Sequence, residues 1–249
     1  MPLAAVPTPA GTVRAHLAVP SSAGPWPAVL VIHEAFGLND DIRGHAEHFA
    51  ARGYLAVAPD LLSYGPKLRC VRETLRSLAR GAGPAWEILD AVRSWVADRE
   101  DCTGRVGVIG YCMGGRFALL AAPRPGFDLA SVNYGQVPRD AEEVLRGACP
   151  IVASFGADDR ALRGHAARLE GALDALGVEH DVKEYPGAGT ASSTGTPVPC
   201  SCSTRCSARA CVSRRRATRS GASTRSSNGT SALEPGRTVV DFSGSRPCP

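Results

Sequence analysis

The first 189 residues alternate between short apolar runs and segments with helical spacing. The run PAVLVIH at 27–33 is continuously apolar, as a strand buried on both faces requires. In 40–52, apolar residues recur every three or four positions until Gly53, which predicts a helix. By the same reading, strands are predicted at 54–61, 104–110, 129–134, 150–155 and 180–185, and helices within 66–100, at 116–122 and at 161–176. Strands that alternate with helices predict a parallel sheet covered on both faces.

Residues 190–249 lack this pattern and differ in composition. They contain nine Arg, no Lys and two acidic residues, a net charge of +7, together with 13 Ser and five of the nine Cys. The first 189 residues carry 19 basic and 22 acidic residues, a net charge of −3, so the +4 of the whole chain is a poor sign of nucleic-acid binding. We expect a globular domain at 1–189 and a disordered Arg/Ser/Cys-rich tail at 190–249.

Composition also limits the compartment. No apolar run approaches the roughly 18 residues of a membrane span, and the N-terminus has no basic region before an apolar core, so no secretory signal is expected. The cysteines of the body are widely spaced, which favours a reducing, cytoplasmic compartment. In the tail, the spacing C-x-C-x3-C-x4-C has no His and no C-x2-C pair, which argues against zinc.

The segment VGVIGYCMGGRF at 106–117 carries the clearest chemical signal. It places Cys112 in a G-x-nucleophile-x-G pattern, a tight strand-to-helix turn in which Gly110 and Gly114 avoid clashes. At the start of a helix the dipole favours a thiolate, and the Met113 N–H becomes one oxyanion donor. Cys is often only a small buried apolar residue, but the strand–turn–helix context favours a nucleophile.

Five motifs together resemble the dienelactone hydrolase family of the α/β-hydrolase fold, over roughly residues 10–189. They are VIHEAFGLN at 31–39, GYLAVAPDLL at 53–62, GVIGYCMGG at 107–115, FGADD at 155–159 and EYPGAG at 184–189. The resemblance implies a mostly parallel, twisted sheet with helices on both faces. It also implies a Cys nucleophile at Cys112 and no metal or organic cofactor.

The resemblance assigns further roles in the site. Glu34 contacts the resting Cys and helps to set its ionisation, and the backbone of Ala35 supplies the second oxyanion N–H. The spacing G-x-x-D makes Asp159 the acid of the triad, with Asp158 as the alternative, a turn residue that caps the next helix. His33 is expected to end its strand with a structural hydrogen bond rather than to act as the base.

Substrate contacts are less specific. Phe36, Tyr111 and Tyr134 are candidates for the pocket wall, and the two tyrosines could equally be packing aromatics. Family members that act on dienelactone bind its carboxylate with arginines. Arg69 and Arg72 fall in the corresponding region, but solvated surface arginines are the favoured interpretation.

The histidine of the triad is missing. In the family it follows Y-P-G-A-G, and here Thr190 stands at that position. The six histidines, all upstream, are His16, His33, His45, His48, His165 and His180. His165 on a helix and His180 at the start of a strand cannot readily replace it.

Because the departure coincides with the composition break, we expect a reading-frame error. If one base was lost in GGC CAC, the restored codons permit H-S-F-L-N from Thr190, then an amphipathic closing helix, D-A-F-F-E-R-H-L, at 224–231. The expected protein is a monomeric hydrolase of a small-molecule ester or lactone with a Cys-His-Asp triad. The alternative is a catalytically inactive hydrolase fold that binds acidic partners through a genuine basic tail.

Overall fold

The computed structural model describes residues 3–189, which form one eight-stranded sheet and its helices. The strands are β1 Ala4–Thr8, β2 Gly11–Ala18, β3 Trp26–Ile32, β4 Leu55–Pro59, β5 Cys102–Tyr111, β6 Leu129–Asn133, β7 Ile151–Gly156 and β8 His180–Tyr185. The helices are α1 Asp40–Ala50, α2 Lys67–Arg80, α3 Pro84–Ala97, α4 Met113–Ala121, α5 Ala141–Val144 and α6 His165–Leu176, with a 3-10 turn at Arg160–Leu162.

The sheet has the order β1-β2-β4-β3-β5-β6-β7-β8 and is parallel from β4 to β8. Every residue of β4 is buried, which requires cover on both faces. The mostly parallel α/β fold is therefore confirmed. The antiparallel hairpin β1–β2 at the edge was not predicted, because its residues alternate between buried and exposed and form no continuous apolar run. The short α5 was not predicted either.

The core is continuous from the sheet into the helices that cover it. Trp86 of α3 is 2% exposed and meets Phe117 of α4 edge to face, with ring centroids 5.1 Å apart. The Trp86 indole N–H donates to the Ser77 carbonyl of α2 at 2.9 Å, so the buried ring also satisfies its polar atom. This packing fixes the position of α4, and with it the end of the turn that holds Cys112.

Three glycines let the turn between β5 and α4 touch its neighbours through main-chain atoms. A Cβ on Gly110 would lie 1.9 Å from the Gly114 carbonyl oxygen, and a Cβ on Gly114 would lie 2.3 Å from the Ile32 oxygen. A Cβ on Gly115 would lie 2.5 Å from the Asn133 oxygen. The turn is therefore pressed against the ends of β3 and β6, where the functional residues are expected.

Among residues 3–189, no helix has the length and apolar character that crossing a bilayer requires. Four expectations concern residues 190–249: the disordered tail, the zinc spacing, the loss of the histidine at Thr190 and the frame error. All four lie outside the described residues.

Substituting Gly114 with Ala tests the close contact at the turn. Because the new methyl would meet main-chain atoms that cannot rotate away, we expect Gly114→Ala to lower the free energy of unfolding by about 3 kcal/mol. Gly44→Ala is the matched control, since its Cβ meets nothing within 4 Å on helix α1, and a gain of about 1 kcal/mol is expected. Urea denaturation measures both, and equal effects would contradict this account.

Candidate active site

Cys112 is the residue that joins β5 to α4, and its backbone is strained. It has φ 54° and ψ −111°, in a region that non-glycine residues rarely adopt. Its N–H donates to the Asn133 carbonyl at 3.0 Å, and its carbonyl accepts from the Arg116 N–H at 3.1 Å. The neighbouring elements thus hold the strained turn in place, and the thiol is half-buried.

The surroundings of Cys112 favour the neutral thiol. Burial raises the pKa of Cys112 above its ordinary value, and the charges of Glu34 and Asp159 raise it further. The Met113 backbone N–H lowers the pKa but does not outweigh them. The helix dipole, which favours a thiolate, is therefore opposed here by desolvation and by two carboxylates.

Glu34 lies in the loop after β3, and hydrogen bonds hold both its carboxylate and its backbone carbonyl. The Tyr134 hydroxyl donates to Glu34 Oε1 at 3.0 Å. The Glu34 carbonyl oxygen accepts from the Gly37 N–H at 3.3 Å and from His33 Nδ1. Because a trans peptide directs its C=O and N–H to opposite sides, these bonds also fix the direction of the Ala35 N–H.

His33 is fully buried and hydrogen-bonded at both ring nitrogens. Nε2 accepts from the Leu61 N–H at 3.0 Å, so the ring proton lies on Nδ1, which donates to the Glu34 carbonyl. Burial lowers the pKa of His33, although the Glu34 carbonyl and the charge of Asp60 act in the opposite direction. The expected structural hydrogen bond is thus confirmed, since the imidazole links the loops after β3 and β4.

Asp159 and Asp158 follow β7 and differ in exposure. Asp159 is 7% exposed, whereas Asp158 is exposed. Asp159 Oδ1 accepts from the Ala161 N–H at 2.9 Å and caps the 3-10 turn, so the capping role expected of Asp158 falls to Asp159. The Asp158 N–H donates to the Ala188 carbonyl at 3.0 Å. The chain just before residue 190 therefore lies against the loop that carries these aspartates.

The three candidate pocket residues occupy different environments. Tyr111 is buried and lies 6.2 Å from Tyr134 between ring centroids, whereas Phe36 is 70% exposed in the loop after β3. No sequence signal indicates that His45 of α1 stacks on Tyr111, with centroids 4.3 Å apart and planes 13° apart. No signal indicates either that the Asn133 amide donates to the Gly110 carbonyl at 3.2 Å. Both contacts join residues that are distant in sequence.

Arg69 and Arg72 lie on the outer surface of α2 and are exposed, as the favoured interpretation expected. Arg72 pairs with Glu73 at 3.5 Å on the same helix. The two arginines line a surface groove of about 560 Å³ with Leu68, Val71 and Leu75. Within 3–189, no group of three or more His, Cys, Asp or Glu is placed to hold a metal ion.

The model of the dienelactone hydrolase family matches residues 13–196, most of the chain. The chain belongs to the dienelactone hydrolase family. A Yersinia pestis protein assigned as a carboxymethylenebutenolidase is 28% identical over 204 residues, covering 75% of this chain and 76% of the relative. An Escherichia coli K12 protein with the same assignment is 29% identical over 203 residues, covering 75% of each.

Solved structures agree with this dienelactone hydrolase assignment. The crystal structure of a protein from Klebsiella pneumoniae, assigned as a dienelactone hydrolase, is 26% identical. It superposes with a TM-score of 0.65 over 76% of this chain and 86% of its own. An esterase from Thermogutta terrifontis shares the fold at 16% identity, with a TM-score of 0.62 over 82% of this chain and 89% of its own. The chain is therefore a hydrolase of the class that cleaves esters and lactones.

The buried, neutral His33 makes stability depend on pH. The unfolded chain binds a proton near the ordinary pKa of 6.5, whereas the folded chain resists it, so the stability contributed by His33 is complete above pH 6.5 and is lost as the pH falls. One such group contributes at most about 1.4 kcal/mol per pH unit.

His33→Gln tests this contribution, because an amide can serve both hydrogen bonds without titrating. We expect the free energy of unfolding, measured by urea denaturation between pH 7.5 and 5, to fall less steeply in the variant than in the wild type. Identical slopes in the two proteins would show that His33 is not held neutral by the fold.

Proposed function

We propose that this chain is built to cleave an ester or lactone with Cys112 as the nucleophile. The observation that carries the proposal is the strained turn at Cys112, which has φ 54° and places the residue directly before the start of α4. Backbone strain of about 1–3 kcal/mol persists only where the surroundings enforce it, and such strain concentrates at functional sites. Here the strain presents a half-buried thiol at the carboxyl edge of the sheet, where α/β enzymes bind their ligands.

The proposed reaction forms and then cleaves a thioester. The Cys112 sulfur attacks the carbonyl carbon, and the Met113 and Ala35 N–H groups bind the oxyanion. A histidine at position 190 would accept the thiol proton and give it to the leaving alkoxide, and it would then activate the water that hydrolyses the thioester. Asp159 would orient this imidazole. No metal or organic cofactor takes part in any of these steps.

Two of the described histidines have ring nitrogens engaged by the backbone, which supports the view that the base belongs at position 190. Both nitrogens of His33 are engaged by the backbone. His165 Nδ1 accepts from the Val137 N–H at 2.9 Å. Ala188, two residues before position 190, accepts a backbone hydrogen bond from Asp158 in the loop that carries Asp159.

We further propose that residues 190–249 are an out-of-frame translation. The restored reading permits a histidine at position 190 and a closing amphipathic helix at 224–231. The sheet supports the need for such a helix, because β7 alternates between buried and half-buried residues and no residue of β8 is buried. Within residues 3–189, one face of these two strands is therefore only partly covered.

A second candidate is a catalytically inactive hydrolase fold that binds acidic partners through its tail. The charge of +7 on residues 190–249 is the observation that favours it. Retention on nucleic acid that weakens with salt, and that is lost on truncation after Gly189, would support this second function. Otherwise we propose a monomeric, cytoplasmic enzyme whose partner is a small-molecule ester or lactone.

Hydrolysis of p-nitrophenyl acetate by this chain and by a frame-restored chain tests the triad. We expect the restored enzyme to exceed this chain by at least about 10³-fold in kcat, because removing one triad member forfeits most of the catalysis. Cys112→Ala in the restored chain is the control and should abolish turnover. Equal activity in both chains would refute the triad, and an inactive restored chain would refute the hydrolase proposal.

The frame proposal has its own test. Resequencing the coding DNA across codons 188–192 should reveal one additional base. A read that confirms the present frame, together with a protein mass that matches this chain, would overturn it.

A further inference from the structure

Asn133 is the last residue of β6, and it lies beside the turn that carries Cys112. It pairs with Tyr111, the last residue of β5, so the two strands end together. Directly after this pair, both strands continue into a residue with positive φ, Cys112 at 54° and Tyr134 at 40°. Such conformations persist only where the surrounding contacts enforce them. The contacts that Asn133 makes with the turn are therefore of interest.

Asn133 binds the chain on both sides of Tyr111. Its side-chain amide donates to the Gly110 carbonyl at 3.2 Å, and its own carbonyl accepts from the Cys112 N–H at 3.0 Å. A Cβ on Gly115 would lie 2.5 Å from that same Asn133 oxygen, so α4 packs directly against it. One buried residue thus holds the peptide groups that lead into the turn.

The turn receives little support from the helix that follows it. Within the described part of the chain, Cys112 stands at the N-cap of α4 without a side-chain capping hydrogen bond, and the first turn of α4 has no acidic residue. Caps and acidic residues ordinarily stabilise the start of a helix. The backbone of Cys112 is held instead by the Arg116 N–H, which its carbonyl accepts at 3.1 Å, and by Asn133 across the sheet.

A buried amide is a costly choice at the end of a parallel strand. Asn133 is 4% exposed, whereas the fully buried residues of the same strand, Ala130 and Val132, are apolar. Asn is depleted in strands, and burial of an amide costs free energy unless it is hydrogen-bonded. A residue that both propensity and burial disfavour indicates a local function, and the hydrogen bond to Gly110 supplies one.

We propose that Asn133 is a positioning residue for the nucleophile: its amide, bonded to the Gly110 carbonyl, keeps the turn in the strained conformation that presents the Cys112 thiol. The inference rests on the proposed role of Cys112. Without the amide, the Gly110 carbonyl loses a donor and the turn relaxes, which displaces the sulfur from the position required for attack. Because a displacement of about 1 Å can cost about 10²-fold in rate, the loss falls on kcat.

Hydrogen exchange of the Cys112 amide tests this hold without any turnover. The N–H donates to the Asn133 carbonyl, so it exchanges when the turn opens. We expect Asn133→Leu, which is close in size but cannot donate, to speed this exchange about tenfold, the worth of one hydrogen bond, as measured by NMR.

Ser77→Ala is the matched control for Asn133→Leu. Ser77 is 2% exposed, and its hydroxyl donates to the Glu73 carbonyl of α2 at 2.8 Å. The substitution therefore also removes a buried bond from a side chain to a carbonyl, but away from the turn, and it should leave the exchange at Cys112 unchanged. An equal rise in both variants, or a rise in neither, would overturn the proposal.

Asn133→Asp provides a rescue that a purely steric role would not show, and it serves if Asn133→Leu fails to fold. The two side chains have the same shape, but only a neutral carboxyl group can donate to the Gly110 carbonyl. Relative to the wild type at the same pH, we expect Cys112 exchange in Asn133→Asp to be near normal at pH 5 and to rise as the carboxyl ionises toward pH 8. Exchange already raised about tenfold at pH 5 would contradict the role of the hydrogen bond.

Kinetics in the frame-restored chain show whether the hold serves the reaction. We expect Asn133→Leu to lower kcat for p-nitrophenyl acetate at least about tenfold, with KM within about twofold, and Ser77→Ala to change neither. An unchanged kcat in Asn133→Leu would overturn the positioning role. Failure of the hydrolase proposal is distinguishable, since the restored chain would then be inactive without any substitution while Cys112 exchange still responded to Asn133→Leu.

Discussion

The contact between backbone atoms around the turn at Cys112 is the constraint on which the rest of the site depends. Gly110 and Gly114 allow the start of α4 to lie against the end of β3, where any side chain would collide with a carbonyl oxygen. This contact brings the loop after β3, with Glu34 and Ala35, beside the sulfur. It also forces Cys112 into its left-handed conformation, so the packing of the sheet and the presentation of the thiol have a single cause.

Glu34 links the geometry of the turn to the electrostatics around Cys112. His33 binds its carbonyl and Tyr134 binds its carboxylate, so one residue fixes the direction of the Ala35 N–H, the proposed oxyanion donor, and also places a negative charge near Cys112. Both partners remain un-ionised because burial opposes the charged form of each.

Features encoded by consecutive residues could be predicted from the sequence, whereas features that depend on distant segments could not. Buried parallel strands such as β3 and the turn at Cys112 are encoded by consecutive residues, and both were predicted. The hairpin β1–β2 was missed because an edge strand needs only half of its residues to be apolar. The opposition to the helix dipole at Cys112 could not be predicted, since the dipole is visible in the local sequence but the opposing carboxylates, Glu34 and Asp159, come from distant segments.

The described chain ends directly before the position proposed for the catalytic histidine. β8 pairs with β7 through to Tyr185, and Ala188 is tied to Asp158, so the sheet is complete up to the residues that precede the position of the base. The proposed triad still needs its histidine there, and within residues 3–189 one face of β7 and β8 is only partly covered. Because both features begin at the residue where the composition changes, the proposed shift in the reading frame would account for both, whereas a tail evolved for binding acidic partners would account for neither.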